Sequence, residues 1–118
     1  MNKVDLIVEA ALDGDALKLR SLCQDLLHEN RDLYDCPAPT VDDRQKMAIA
    51  ASLVELLAMR TGQMPPIWTE AVEGLARPIY LLKSAEKMSR LRKLCESESP
   101  EPLLKRGLLA PPNFLSFA

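Results

Sequence analysis

DDRQKMAIAASLVELLAMR, residues 42–60, opens with two aspartates suited to capping a helix and then repeats apolar residues at helical spacing. Met47, Ala50, Ala51, Val54, Leu57 and Ala58 trace one face, and Ile49, Leu53 and Leu56 widen it until most of the circumference is apolar. Exposing half of these residues would forfeit about 1.5–3 kcal/mol for each large side chain. A helix of this kind belongs in the middle of a bundle, so residues 42–60 are predicted to form the central helix of an all-α fold. Thr61 and Gly62 mark its end.

Upstream, Val4, Ile7, Val8, Ala11 and Leu12 follow the spacing of one buried helical face, with Asn2 placed to cap its start. Gly14 interrupts the pattern. Asp15 then caps a second helix whose stripe is Leu19, Leu22, Cys23, Leu26 and Leu27. Two amphipathic helices joined by so short a turn bury their stripes against each other, so residues 1–30 are predicted to be a helical hairpin. Between the hairpin and the central helix, Asp32, Asp35, Pro37, Pro39 and Thr40 make a loop, because proline lacks an amide donor and biases the preceding residue away from helix.

Downstream, Met64-Pro65-Pro66 leads into a short helix over 67–75, in which Trp68, the single tryptophan, is expected to plug a gap between helices. The run Ile79–Leu82 is short enough to be a buried strand or a helical turn; a lone strand would have no partner, so loop or helix is expected. Residues 83–96 form an amphipathic helix, with Ala85, Met88, Leu91 and Cys95 on one side and Lys83, Lys87, Arg90 and Lys93 on the other. Residues 97–118 read as a proline-punctuated tail with one short turn around Pro102–Arg106. Leu103, Leu104, Leu108, Leu109, Phe114, Leu115 and Phe117 make this tail too apolar for a disordered end. The expected architecture is an irregular all-α bundle of about five helices with proline-rich extended connections and a C-terminal tail, folding as a single domain over residues 1–118.

At 118 residues, 47% hydrophobic and 27% charged, the chain resembles an average globular domain. No apolar run approaches the ~18–20 residues of a membrane span, and the acids within MNKVDLIVEAALDGD do not suit a signal peptide, so a cytoplasmic location is expected. The three cysteines are odd in number and far apart, which fits neither a disulfide framework nor a metal knuckle; only Cys36, in the proline loop, is expected to be exposed. Charge is uneven. Residues 1–43 carry 4 basic and 10 acidic side chains, and residues 83–118 carry 7 and 4.

Reactive groups are scarce. The one histidine, His28, cannot assemble a zinc ligand set, and four dispersed glycines leave no phosphate-cradling loop, so neither an enzyme nor a cofactor is expected. Asp15, Asp42 and Asp43 are read as helix caps. Glu96 and Glu98 stand at a helix C-terminus, where acids are unfavourable, and are read as solvated or as partner contacts. The basic residues Lys83, Lys87, Arg90 and Lys93, joined by Arg92, Lys105 and Arg106, could meet nucleic-acid phosphates, although no recognition helix accompanies them.

PPIWTEAV (65–72), ARPIYLLKSAEKMSRLRKLCESESPEPLLKRG (76–107) and APPNFLSFA (110–118) together resemble a group of small bacterial proteins encoded beside a nucleotidyltransferase-like protein, in arrangements like two-gene toxin–antitoxin modules. The resemblance covers most of the chain and rests on spacing and proline placement. It implies an antitoxin-like accessory protein that binds and restrains its neighbour. On that reading Leu108, Leu109, Phe114, Leu115 and Phe117 are the expected partner contacts, and a nucleic-acid-binding regulator using Lys83, Lys87, Arg90 and Lys93 is the alternative.

Overall fold

A computed structural model describes residues 2–29, 32–40, 43–75, 77–81 and 88–110. They form a mostly helical, irregular bundle: α1 (Lys3–Asp13), α2 (Ala16–Glu29), α3 (Arg44–Thr61), α4 (Ser89–Glu98) and α5 (Glu101–Leu104), with 3₁₀ turns at Leu33–Asp35 and Ile67–Ala71 and two short strands, β1 (Ile79–Tyr80) and β2 (Leu108–Leu109).

Local chemistry sets the helix ends. Asn2 and Asp5 form a reciprocal capping box on α1, and Gly14 closes that helix at φ +71°. A left-handed residue returns the chain toward the helix end, and only glycine adopts it without a Cβ penalty. Asp15 accepts from Lys18 N at 3.1 Å at the head of α2, Asp43 accepts from Lys46 N at 3.0 Å at the head of α3, and Gly62 closes α3. Asp42 lies outside the described residues.

Helix α3 is the centre of the bundle. Every residue from Ala48 to Ala58 is buried, and the helix packs against α1, α5 and the second 3₁₀ turn. One core cluster runs from Val4, Ile7 and Val8 of α1 through Leu19, Cys23 and Leu26 of α2 and Ile49, Leu53, Leu56 and Leu57 of α3 to Leu103 and Leu108. A smaller cluster joins Cys95 to Leu109 beneath Tyr80 and Leu91.

The proline loop is fastened down by polar contacts, most of them to the buried Asp5. Asp5, 1% exposed, accepts from Asn2 N (2.9 Å), Thr40 N (3.0 Å) and Thr40 Oγ1 (2.8 Å), while Asn2 Nδ2 donates to Ala38 O at 2.8 Å. Burial by itself raises the Asp5 pKa, but these hydrogen bonds outweigh it and hold the carboxyl below its ordinary value. The same docking corrects the expectation for Cys36, which is buried rather than exposed. Burial pushes its thiol from 9.0 to about 11, pushes Cys23 to about 12 and raises Cys95. The thiolate is the reactive form. Cys23 and Cys36 are therefore expected to react with Ellman's reagent at pH 8 at least about a hundredfold more slowly in native than in unfolded protein, and Cys95 more slowly as well. Labelling of Cys36 at the unfolded rate would mean that the proline loop swings open.

Three further expectations are corrected. Ile79-Tyr80 is a strand after all, because the tail supplies its partner: β1 pairs in parallel with β2, Ile79 opposite Leu108 and Tyr80 opposite Leu109, with α4 and α5 as the crossover that parallel strands require. Ile79 N donates to Gly107 O and Leu81 N to Leu109 O, both at 2.9 Å. The helix expected over 67–75 is a 3₁₀ turn ending at Ala71: Val72 N closes it on Thr69 O at 3.2 Å, and Arg106 caps the Thr69 and Val72 carbonyls from the side. The helix expected over 83–96 is described from Ser89 and extends to Glu98, residues 82–87 lying outside the described chain. At its end the buried Ser99 Oγ accepts from Ala110 N at 3.0 Å, tying α4 to the strand pair.

Candidate functional site

The last turns of α3 carry a charged cluster that positions everything near it. Arg106, buried beside β2, donates from Nη2 to Glu55 Oε1 (2.5 Å) and Thr69 O (2.7 Å), from Nη1 to Pro102 O (3.2 Å) and from Nε to Val72 O (3.3 Å). Lys105 Nζ meets the other Glu55 oxygen at 2.7 Å. Burial alone would raise the Glu55 pKa; hydrogen bonds from Arg106 and Lys105 reverse this and hold the carboxyl below its ordinary value. The chain draws in closely here. A Cβ on Gly74 would stand 3.0 Å from Arg106 Cα, and the bare glycine lets Leu75 N reach Arg106 O at 2.9 Å. Planar donors directed at one carboxylate and three carbonyls clamp the second 3₁₀ turn onto α3.

With that turn clamped beside Glu55, Met59 follows one helical turn further along the same face of α3. The chain then leaves through Gly62 and Gln63. Gln63 Oε1 accepts from Leu33 N at 2.8 Å, and Trp68 Nε1 donates to Cys36 O at 2.9 Å, so the first 3₁₀ turn sits beside the loop that carries Met64 and Ile67. Trp68 is half-buried against the core. The result is a concentration of exposed apolar side chains at the C-terminal end of α3: Met64 is 69% exposed, Ile67 64%, Met59 54% and Tyr34 39%. Leu17, Met88 and Leu104, the remaining large apolar side chains exposed among the described residues, come from three separate elements. Four of seven thus share one end. Asp32, Asp35 and Glu70 are exposed around it, and in a 3₁₀ turn Glu70 falls on the face of Ile67, three residues earlier. Glu70 also lines a shallow pocket with Glu55, Lys105 and Arg106, and burial lowers the pKa of the half-buried Arg60.

None of the described residues expected to act belongs to this end. Leu108 and Leu109, expected among the partner contacts, are buried in β2, where the strand pair and the core below it take up their apolar surface. Phe114, Leu115 and Phe117 lie outside the described residues, as do Lys83 and Lys87 of the expected basic face. Arg90 and Lys93 are exposed on α4. Arg106 is withdrawn from that basic set into the interior, and Lys105 is paired with Glu55. Glu96 accepts from Tyr80 Oη at 2.7 Å and Arg92 Nε at 3.4 Å. This trio rims a groove of about 510 Å³ that Pro78, Leu104 and Leu109 also line.

Sequence reasoning missed the apolar end. Its faint signal was a methionine and an isoleucine flanking two prolines in a loop, where a chain normally turns polar. Among the described residues no three or more His, Cys, Asp or Glu side chains gather to hold a metal ion, and no helix is long and apolar enough to cross a membrane. No family profile, curated protein or solved structure matches the chain.

Proposed function

We propose that this chain is a protein-binding module rather than an enzyme, an antitoxin-like accessory protein that binds and restrains a nucleotidyltransferase-like partner encoded by a neighbouring gene and acts in the cytoplasm. The observation that supports binding is the apolar end formed by Tyr34, Met59, Met64 and Ile67. Methionine is unbranched and polarisable, so it fits itself to a partner's surface, and large apolar side chains concentrated at one place on a folded chain mark interaction sites. The identity of the partner rests on the resemblance in the segments 65–72, 76–107 and 110–118.

Magnitudes bound what this end can do. Burying the surface that these four side chains still expose, about half of each, is worth about 3–7 kcal/mol gross, against about 4–15 kcal/mol for the freedom lost on association. The end alone therefore supports weak binding, and tight restraint of a partner needs further anchors, for which Phe114, Leu115 and Phe117 remain the proposed source. Co-expression with the neighbouring gene product followed by gel filtration should yield one co-eluting complex. Met64→Asp with Ile67→Asp should weaken it at least about tenfold, since each change buries a charge or abandons an apolar contact. Independent elution of two well-folded proteins would overturn the proposal.

A further inference from the structure

We infer that the molecule is built in two cooperative parts, a body of α1, α2 and α3 and a clasp of the described residues of 66–110, with Arg106 as the latch. The clasp opens from the body as one unit before the whole chain unfolds. Hydrogen bonds draw its outline. Leu75 N donates to Arg106 O, Ile79 N to Gly107 O and Leu81 N to Leu109 O, each at 2.9 Å, while the Arg106 side chain donates to Thr69 O and Val72 O. The chain over 69–81 is thus laced along 106–109. Helix α4 is tied to the same strand pair, since Ala110 N donates to Ser99 Oγ at 3.0 Å, Tyr80 Oη donates to Glu96 at 2.7 Å, and Cys95 packs with Leu109.

The body is laced within itself. Thr40 is bonded to Asp5, Lys46 to Glu9 at 3.0 Å and Leu33 N to Gln63. Two-residue strands and a four-residue helix have no stability of their own, so the pieces of the clasp form and break together. In α4 the buried residue is Cys95, whereas every residue from Ala48 to Ala58 of α3 is buried, and a thinly buried region opens at lower cost than a core helix. Trp68, Leu75, Leu103 and Leu108 rest on the core from the clasp side. Arg106 is the latch because one guanidinium joins both strands of the lacing to the body: it holds Thr69 O, Val72 O and Pro102 O in the clasp and Glu55 in α3.

The apolar end lies across the seam. Tyr34 and Met59 belong to the body and Ile67 to the clasp, with Met64 between them just after Gly62, which turns at φ +68°. These side chains make one surface only while the clasp is shut, so Arg106 governs from a distant part of the chain whether that surface exists.

Amide hydrogen exchange of the full-length chain, followed residue by residue by NMR, tests the division. In the unaltered protein the amides of Leu75, Ile79 and Leu81 should share one protection factor within about threefold, at least about a hundredfold below those of Leu53 and Val54 in α3. Val4→Ala weakens the body at the end of α1 away from the crevice that Ala10, Ala11 and Leu81 line. It should lower protection at Leu53 and Val54 at least about tenfold and leave the clasp amides within about twofold of their original values. Arg106→Met should lower both sets at least about tenfold, because the latch is undone in either opening.

One protection factor for both sets, or a Val4→Ala effect that lowers both alike, would mean a single indivisible unit and overturn the inference. Scattered protection among Leu75, Ile79 and Leu81 would mean independent fraying and overturn it as well, and clasp amides unmoved by Arg106→Met would remove the latch. Should either variant fail to fold, the unaltered protein in low urea decides: exchange at Leu75, Ile79 and Leu81 should depend on urea less steeply than at Leu53 and Val54, because the clasp exposes less surface than global unfolding. Equal slopes would rule the clasp out.

Discussion

Replacing Arg106 with methionine is expected to lower the free energy of unfolding by about 3–5 kcal/mol, a large part of the roughly 5–15 kcal/mol that a domain possesses. The loss has two sources. Glu55 keeps only Lys105, whose side chain is half exposed; the carbonyls of Val72 and Pro102 lose the guanidinium donors, and Thr69 O keeps only Val72 N. Urea unfolding measures it, and a loss under about 1 kcal/mol would mean that the guanidinium is solvated rather than clamped. Replacing Glu55 and Arg106 together by methionine should recover part of the loss, because no buried charge is then left unpaired, although the guanidinium hydrogen bonds to the three carbonyls stay lost.

The same pair leaves a signature in acid. The Glu55 carboxyl titrates below its ordinary 4.5 in the folded chain. A carboxyl whose folded pKa is depressed contributes its stability in full above the unfolded value and loses it as pH falls through the folded one. Asp5, held below its ordinary 3.8, acts in the same direction. Stability should therefore drop as pH falls below about 4.5, and the drop should be shallower in Arg106→Met, where burial of Glu55 is opposed by Lys105 alone. An acid limb of unchanged steepness in that variant would assign the pH dependence to Asp5 and other carboxyls.

The second large effect belongs to the centre of the bundle. Leu53→Ala in α3 is expected to cost about 2–5 kcal/mol, because Leu53 has no solvent-exposed surface and its neighbours Ile49, Leu56 and Leu57 are held by their own packing. In the same denaturation experiment Leu17→Ala, at an 82% exposed position, should change stability by less than about 0.5 kcal/mol. A Leu53→Ala cost near that of Leu17→Ala would mean that α3 does not fill the interior.

How far the fold was legible follows from the range of the forces involved. The α1–α2 hairpin was readable from apolar spacing and from Asn2, Gly14 and Asp15, since caps and stripes are decided within a few residues. The apolar end was not readable. Met59 lies next to the fully buried Ala58, and it is the clamp on the second 3₁₀ turn with the Leu33–Gln63 and Trp68–Cys36 hydrogen bonds that brings the segments of Tyr34, Met64 and Ile67 to the same end. The basic set was legible as composition and misjudged as a surface, because nothing in KRG at 105–107 says that Arg106 has a carboxylate waiting 51 residues upstream.

By itself the sequence determined that this chain folds around a helix that is apolar on nearly every side, with capped helices before it and apolar residues after it, Leu103 and Leu108 among them, that pack into the same core. Tertiary structure alone decided that Ile79-Tyr80 pairs with Leu108-Leu109, that Cys36 is covered, and that Arg106 turns inward. The physical reason is one of locality. Helix propensity, capping and burial stripes are written in neighbouring residues, whereas a two-residue strand or a buried cation is stable only if a partner distant in the chain arrives with matching geometry.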